Sequence, residues 1–338
     1  MKLTFKIKKI LIGLIVLLSV NCYGQSVCTW DAEKKELNFS LLEISGTLNC
    51  DAKNNKGISH HFRNVIHKPT GILIGPDSAK MKNVGMLNFF RVLIEGGYLT
   101  ELRVEEPLLE PESDGIILTW LPSIRRQAKV KLKFTFKQPN IIAMDMWLET
   151  LTNYPSFEIL LSSYHAEGFK TGAYVSKKEI GPIESEQIRP EYNTMIDGLY
   201  PFFPRDEAGA NVLTDGRHQK GRFYWRMAIG RRYAQSMVFA SKLNVDAILM
   251  ARPEDVYAVG ATYTGGNKED NVAAHRSLYL SLFGEDFKAG QSRHAQMRMV
   301  IGNYGSNQEK HNQLYLSFLN EQVSKPKTYF INPVEHKN

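Results

Sequence analysis

Strict alternation of polar and apolar residues is the feature that most constrains how this chain folds. From Lys131 to Lys137, every second residue is Leu or Phe and the residues between them are Lys or Thr. Successive side chains of a β-strand point to opposite faces, so this pattern is typical of a strand with one buried face. A second run of this kind extends from His294 to Ile301. Both runs predict strands of a sheet that packs on an apolar core.

Further apolar runs of strand length follow one another along the chain, separated by turn residues. They are Leu37 to Ile44, Phe90 to Leu99, Ile116 to Leu121, Ile141 to Leu148, Phe157 to Tyr164, Phe223 to Ile229, Met237 to Ala240, Val256 to Tyr263 and Ser277 to Phe283. Many strands without intervening helices favour stacked antiparallel sheets over a doubly wound fold. We therefore predict an all-β protein with one large antiparallel β-sandwich and few short helices.

One helix is predicted near the C-terminus. Ser306 and Glu309 have the spacing of a capping box, and they precede an apolar stripe at helical spacing. The stripe consists of Leu314, Tyr315, Phe318 and Leu319. We interpret it as a packing surface and not as a partner site.

The longest stretch without clear periodicity runs from about Ser176 to Gly221. It contains four prolines, at positions 182, 190, 201 and 204, together with several aromatic residues. A connection of this length in a compact domain is usually functional or disordered, and the aromatic content favours order. We predict a loop that lies over one face of the sandwich.

The first 24 residues have the organisation of an export signal. A lysine-bearing start precedes the apolar run Ile10 to Leu18, which is short for a membrane span, and small Gly24 suits a cleavage site. We predict residues 1–24 as a signal peptide, 25–338 as a single β domain, and a periplasmic or extracellular protein. In the alternative, Cys22 is lipid-modified and anchors the chain. No later stretch is apolar enough for a membrane helix.

Cleavage after Gly24 leaves two cysteines, Cys28 and Cys50. Export to an oxidising compartment favours a disulfide between them, and a loop of this length would contribute about 3 kcal/mol in the chain-entropy model. The alternative is two unpaired thiols.

Charge and known signatures exclude several classes of function. The whole chain has 42 Lys and Arg against 35 Asp and Glu, but four of the lysines lie in the signal, which leaves 38 basic residues in the rest. A balance this close to neutral gives no electrostatic basis for binding nucleic acid. No phosphate loop, dinucleotide fingerprint, nucleophile elbow or zinc-protease helix is present, so no cofactor is predicted.

Three histidines, His60, His61 and His67, lie within eight residues. Imidazoles bind divalent metals, but adjacent residues of a strand point to opposite faces, so at most two of the three share a face. A metal site and ordinary polar histidines both remain open, and no metal is assigned.

A second cluster follows the predicted strand that ends at Tyr164. His165 and Glu167 enter a loop with Gly168 at the end of this strand. A rigid strand that delivers an imidazole and a carboxylate to an exposed end is a suitable support for an acid–base pair. The alternative is a solvated loop.

A third cluster combines arginines, carboxylates and aromatic rings in and after the long loop. Its members are Arg205, Asp206, Asp215, Arg217, Tyr224 and Trp225. Aromatic rings stack on the apolar face of a sugar, while Arg and Asp bind hydroxyl groups or a uronate carboxylate. In the alternative, these are structural ion pairs that attach the loop, and Trp225 belongs to the core.

Taken with the Phe-Pro-Arg-Asp-Glu segment at 203–207 and the His-Arg-Ser-Leu-Tyr segment at 275–279, these clusters resemble exported proteins of the galactose mutarotase-like group. The resemblance spans most of the mature chain. It implies a β-supersandwich fold and a carbohydrate ligand. That group includes sugar epimerases, the β domains of polysaccharide lyases and glycosidases, and members without assigned activity.

The resulting hypothesis is a carbohydrate-active protein that binds and processes a sugar or oligosaccharide by epimerase, glycosidase or lyase chemistry. His165 would act as acid or base with Glu167 or Asp206 as its carboxylate partner. Arg205, Asp215, Arg217, Tyr224 and Trp225 would bind the substrate. The alternatives are a non-catalytic carbohydrate-binding module, which needs no acid–base pair, and an envelope accessory protein without a concave site.

Overall fold

The computed structural model describes residues 27–51, 60–76, 85–176, 185–188, 200–218, 225–227, 231–262 and 276–321, with the backbone alone at 185–188, 200–201 and 225–227. Strands dominate these residues, which confirms the all-β prediction. The strands are β1 Cys28–Asp31, β2 Glu36–Ser40, β3 Ile44–Asn49, β4 His61–His67, β5 Ile72–Leu73, β6 Asn88–Ile94, β7 Gly97–Thr100, β8 Leu108–Glu112, β9 Gly115–Trp120, β10 Ala128–Lys137, β11 Ile141–Thr150, β12 Tyr154–Tyr164, β13 Lys170–Ser176, β14 Ser185–Ile188, β15 Tyr200–Pro204, β16 Trp225–Met227, β17 Tyr233–Lys242, β18 Val245–Ala251, β19 Val256–Ala261, β20 Ser277–Phe287 and β21 Ser292–Asn303. The α-helices are α1 Glu207–Thr214 and α2 Gln308–Asn320.

The strands form three sheets. A five-stranded sheet runs from β1 to β5 in order, a nine-stranded sheet has the order β14-β13-β17-β18-β21-β11-β10-β9-β8, and a seven-stranded sheet has the order β16-β15-β19-β20-β12-β6-β7. The pairing is antiparallel except between β15 and β16. One apolar cluster contains buried side chains from all three sheets, and we refer to it as the main core. The predicted antiparallel sandwich is confirmed by this arrangement.

The alternation seen in the sequence determines which face of each strand is buried. In β10, Leu132 and Phe134 are fully buried in the main core, and they lie opposite Met146 and Met144 of β11. The neighbouring lysines, Lys131 and Lys133, are partly exposed on the other face. Burying one such apolar side chain contributes about 1.5–3 kcal/mol. A shift of the strand register by one residue would expose these side chains and would therefore be strongly unfavourable.

The seven-stranded sheet has an outer face, turned away from the main core. Strand β12 shows the division: Ile159 and Leu161 belong to the main core, whereas Leu160 joins a second apolar cluster on the outer face. Helix α1 covers part of this outer face with Val212 and Leu213.

Helix α2 covers part of the outer face of the nine-stranded sheet. Tyr315 and Phe318 are buried there with apolar residues of β13, β17, β18 and β21. The predicted packing role of the apolar stripe is therefore confirmed. The predicted cap was one residue early, because Asn307 accepts the capping hydrogen bond from the Lys310 N–H. Ser306 instead donates from its hydroxyl to Ser241.

The predicted disulfide between Cys28 and Cys50 is absent, which corrects the sequence prediction. Both cysteines are buried. Cys28 lies opposite Phe39 of β2, while Cys50 follows β3, the strand on the far side of β2. Two strand spacings amount to about 9.5 Å, whereas a disulfide requires Cα atoms within about 7 Å.

The long segment predicted as a loop from Ser176 to Gly221 is more regular than expected. It contributes β14, β15 and helix α1. Pro201 and Pro204 lie within β15, which pairs with β16 on one side and with β19 on the other. The prolines had concealed this strand because proline is rare inside paired strands.

The predicted signal peptide lies outside the described residues. Within the described part of the chain, no helix is long and apolar enough to cross a membrane.

Candidate functional site

The three clustered histidines bind separate partners. The His60 Nε2 atom accepts a hydrogen bond from the Phe89 N–H, the His61 imidazole receives one from Arg63, and the His67 Nδ1 atom lies 2.8 Å from the Thr70 hydroxyl. Within the described ranges, no group of three potential ligands could hold a metal ion.

His165 lies on the inner side of the seven-stranded sheet. Its Nε2 atom is 3.3 Å from the Ser163 hydroxyl, and its ring contacts Phe169 of the main core. Burial lowers the pKa of His165 to about 3, despite a backbone hydrogen bond at Ile74 and with a further contribution from the charge of Arg276. The imidazole is therefore neutral near pH 7 and enclosed by apolar residues.

Glu167 does not accompany His165. It is exposed, and its backbone carbonyl accepts a hydrogen bond from Lys242 Nζ. The structure therefore places the predicted acid–base pair in different environments, one buried and one in solvent.

Arg205 and Asp206 lie at the start of α1. They form an ion pair with 2.8 Å between Nε and Oδ2, and the other Asp206 oxygen caps the helix by accepting from the Gly209 N–H. Burial alone would raise the pKa of Asp206, but the bonds from Gly209 and Arg205 lower it. This geometry is that of a structural helix cap.

Asp215 and Arg217 lie at the other end of α1, which is about 12 Å long. Arg217 Nη2 is 2.6 Å from Asp215 Oδ2, and Arg217 Nη1 is 3.2 Å from Glu158 Oε2 on β12. His218 Nε2 is 3.5 Å from the same Glu158 oxygen. The four residues Glu158, Asp215, Arg217 and His218, which we call the buried ion network, attach the end of α1 to the outer face.

The electrostatics of the network are dominated by Glu158, which is completely buried. Burial would raise its pKa, but the charges of His218 and Arg217 and hydrogen bonding from His218 and Tyr257 lower it to about 2. Glu158 is thus a permanent anion near neutral pH. A carboxyl group with a pKa this far below 7 is poorly suited to proton transfer at pH 7.

A separate arginine cluster occupies a partly exposed region of the same outer face. It consists of Phe90, Arg91, Glu101 and Arg103. Arg103 Nε is 2.7 Å from Glu101 Oε2, and Arg91 Nε is 3.9 Å from Glu101 Oε1. The guanidinium carbons of Arg103 and Arg91 lie 3.8 and 4.5 Å from the centroid of the Phe90 ring. About a quarter of the Arg103 side chain is exposed.

Hydroxyl groups extend from the arginine cluster across the face. Ser162 lies opposite Tyr279, and Tyr164 lies opposite Ser277, in the pairing of β12 with β20. The Ser277 hydroxyl donates to the Tyr279 hydroxyl over 2.8 Å. Burial raises the pKa of Tyr164, while a hydrogen bond with Tyr279 and the charges of Arg103 and Arg91 oppose this rise. Tyrosine, serine and arginine groups are therefore neighbours on one face.

The predicted site is thus divided by the structure. Asp215 and Arg217 share the outer face with the arginine cluster, Arg205 and Asp206 lie at the far end of α1, and His165 lies on the inner side. Tyr224 and the side chain of Trp225 lie outside the described residues.

Sequence reasoning missed Glu158 and the arginine cluster. Glu158 had a signal, because it is the single charged residue of β12. Arg91 and Arg103 had none, because their proximity depends on the turn after β7.

Comparison with known proteins finds similarity in structure only. No family model matches the sequence, and no curated protein matches it. A galactose 1-epimerase from Lactobacillus acidophilus is 8% identical, with a TM-score of 0.44 over 80% of this chain and 94% of that one. A GalM/aldose epimerase homologue from C. elegans is 6% identical, with a TM-score of 0.45 over 78% and 97%.

An α-galactosidase from Geobacillus stearothermophilus is 11% identical, with a TM-score of 0.44 over 82% of this chain. The chain spans about two fifths of the length of the α-galactosidases that it matches. Similarity of this degree assigns no activity to the chain.

Proposed function

We propose that this protein binds a carbohydrate at the arginine cluster on the outer face of the seven-stranded sheet. The observation that carries the proposal is the partly exposed pair Arg91 and Arg103, which both lie near Glu101 and both lie against the Phe90 ring.

This combination suits a ligand with many hydroxyl groups. Guanidinium groups donate several hydrogen bonds in a fixed plane, and Glu101 accepts them, so donors and acceptors are presented together. Tyr164 and Tyr279 are buried behind this region and do not form part of the exposed surface. Sugar hydroxyls both donate and accept, so they match such a mixed surface better than a simple anion would.

Binding is better supported than catalysis at this face. The proposed acid–base residue His165 lies on the other side of the sheet, and the carboxyl of Glu158 is held ionised by Arg217 and His218. A binding module needs the arginine and aromatic groups alone. We therefore propose the non-catalytic carbohydrate-binding role for this face.

The test is a titration of the purified protein with a panel of neutral and acidic oligosaccharides, followed by calorimetry, comparing the parent with Arg103→Gln. A lost charged hydrogen bond is worth about 1.5–3 kcal/mol, so binding should weaken by roughly 10- to 100-fold. Arg125→Gln is the matched control, because Arg125 is exposed and lies outside the cluster. A panel without any binder, or equal affinities for both variants, would overturn the proposal.

We also propose that the chain is exported and cleaved after Gly24. The support is the lysine-bearing start and the apolar run that follows it. Intact-mass measurement of protein from an expressing cell should show a chain that begins at Gln25. A mass that includes a diacylglycerol on Cys22 would instead establish a lipoprotein, and an uncleaved cytoplasmic chain would contradict export.

A further inference from the structure

A partly exposed histidine–aspartate pair lies on the outer face of the nine-stranded sheet, beyond the part that α2 covers. His294 of β21 and Trp147 of β11 are directly opposite each other, and their rings stack with centroids 4.9 Å apart and planes inclined by 18°. His294 Nε2 is 2.9 Å from Asp145 Oδ1. Both the ring plane and one ring nitrogen are therefore fixed by rigid strands.

A glutamine orients Asp145 from the other side. Gln296 donates from Nε2 to Asp145 Oδ1 over 3.0 Å. Its side-chain oxygen Oε1 accepts a hydrogen bond from Arg252 Nε over 2.9 Å. The Gln296 N–H donates to Asp255 Oδ2 over 2.9 Å. Gln296 thus bonds to two carboxyl groups, to Asp145 through its side chain and to Asp255 through its backbone N–H.

The pKa values of the two carboxyl groups are shifted in opposite directions. Burial would raise the pKa of Asp145, but hydrogen bonds from His294 and Gln296 lower it. Burial raises the pKa of Asp255 to about 6, opposed by the Gln296 bond and supported by the charge of Glu254. One carboxylate is ready to stabilise an imidazolium, while the other retains a proton in mild acid. Neighbouring titratable groups whose surroundings shift their pKa values apart are typical of acid–base sites.

Solvent exposure distinguishes His294 from the other histidines that the structure describes. His294 is the one histidine of the described residues that is not buried, with 11% of its side chain exposed beside 26% for Asp145. Asp145 is its only hydrogen-bond partner within the part of the chain that the structure describes, so Nδ1 is left to meet an external molecule. The pair His311 and Asp246 has the same 2.9 Å separation but is fully enclosed.

Charged groups around the pair come from β10 and from the segment before β19. Lys131 and Lys133 of β10 lie opposite Trp147 and Asp145. Arg252 and Asp255 reach Gln296 from the segment before β19. The charge of Lys137, at the end of β10, lowers the pKa of Asp145 and so favours its ionised state. Lys133 is itself paired with Glu112, with 2.6 Å between Nζ and Oε2.

We propose that Asp145 and His294 form the general base of a second site, which activates water to hydrolyse a carboxylic ester. This site lies on a different sheet from the arginine cluster and does not depend on the carbohydrate proposal. No serine or cysteine of the described residues bonds to His294, so water is the nucleophile that this base can activate.

The step balances without a further reactant. A water O–H bond breaks, its proton moves to His294 Nδ1, and the oxygen bonds to the ester carbonyl carbon. The bond from that carbon to the alcohol oxygen then breaks, and the departing oxygen takes the proton from the imidazolium. Asp145 stabilises the imidazolium between the two transfers.

The test uses p-nitrophenyl acetate with the full chain, and compares the parent with His294→Gln and Asp145→Asn. A general base contributes roughly 10²- to 10⁴-fold, so His294→Gln should reduce the protein-dependent rate to background. Asp145→Asn should lower the rate while keeping the protein folded.

His67→Gln is the matched control, because it makes the same change at a buried histidine that bonds to Thr70. It should keep the parent rate. Melting curves of every variant separate loss of activity from unfolding. The proposal is overturned if His294→Gln hydrolyses the ester as fast as the parent, if the parent shows no rate above buffer, or if Asp145→Asn is unchanged.

Discussion

Replacing Glu158 by Gln should destabilise the folded chain by about 3 kcal/mol at neutral pH. Glutamine keeps the shape of the side chain but removes its charge. Arg217 Nη1, 3.2 Å from the Glu158 carboxylate and without solvent exposure, would then keep only Asp215 as a charged partner. Removing one member of a buried ion pair typically costs 3–5 kcal/mol, and the remaining Asp215 places this case at the lower end.

The pKa of Glu158 gives an independent magnitude. Its change from 4.5 to about 2 on folding corresponds to about 3 kcal/mol. Because the folded pKa is the lower one, this contribution is complete above the unfolded pKa of 4.5 and is lost as the pH falls through 2. At pH 3 less than half of this contribution should remain. The difference between parent and variant should therefore shrink in acid.

Urea unfolding of both proteins at pH 7 and pH 3 provides the measurement. Glu285→Gln is the control, because Glu285 pairs with Arg293 at an exposed position and such pairs contribute about 0–1 kcal/mol. Equal stability of Glu158→Gln and the parent at pH 7, or a difference that stays constant on acidification, would refute the buried-pair argument.

Three further predictions concern other buried groups. Asp255→Asn should stabilise the protein by up to about 3 kcal/mol above pH 6 and have little effect below pH 4, because a raised folded pKa of about 6 penalises the ionised form; urea unfolding against pH tests this. His311→Gln should lower the melting temperature, because it leaves the enclosed Asp246 carboxylate without its 2.9 Å imidazole partner; an unchanged melting curve would contradict this role. Cys50, whose pKa burial raises to about 12, should resist iodoacetamide in the native protein and react after unfolding, and the intact mass should show no loss of two hydrogens from a bridge to Cys28.

Much of the sheet structure could be predicted from the sequence, because period-2 burial depends on neighbouring residues alone. The runs at 131–137 and 294–301 became parts of β10 and β21 for this reason. The run from Leu37 to Ile44 was predicted as one strand, but it spans the end of β2 and the start of β3. A short turn between two apolar segments does not interrupt the hydrophobic pattern clearly, so the sequence did not predict where β2 ends and β3 begins.

The site was less predictable because it depends on which face of a strand meets which later segment. Ser163 and His165 share the inner side of β12, while Glu158 lies with Leu160 on the outer side. The sequence shows that alternate residues of β12 lie on opposite faces of the sheet. It does not show that the end of α1 packs against the outer face. Asp145 and His294 come together through pairing between strands about 150 positions apart, which local patterns do not encode.

The outermost strand of the nine-stranded sheet has a consequence for how this protein behaves at high concentration. Among the described strands, β8 pairs with β9 alone, and an open strand edge is a common template for intermolecular pairing. Pro111 lacks an N–H group there, and the exposed Glu110 precedes it with a negative charge, whereas Glu112 is paired with Lys133. A second molecule that docked its own β8 in this position would meet like charges and one missing donor. This edge should therefore disfavour fibril-like growth, and replacing Pro111 and Glu110 by valine should make the protein prone to aggregation.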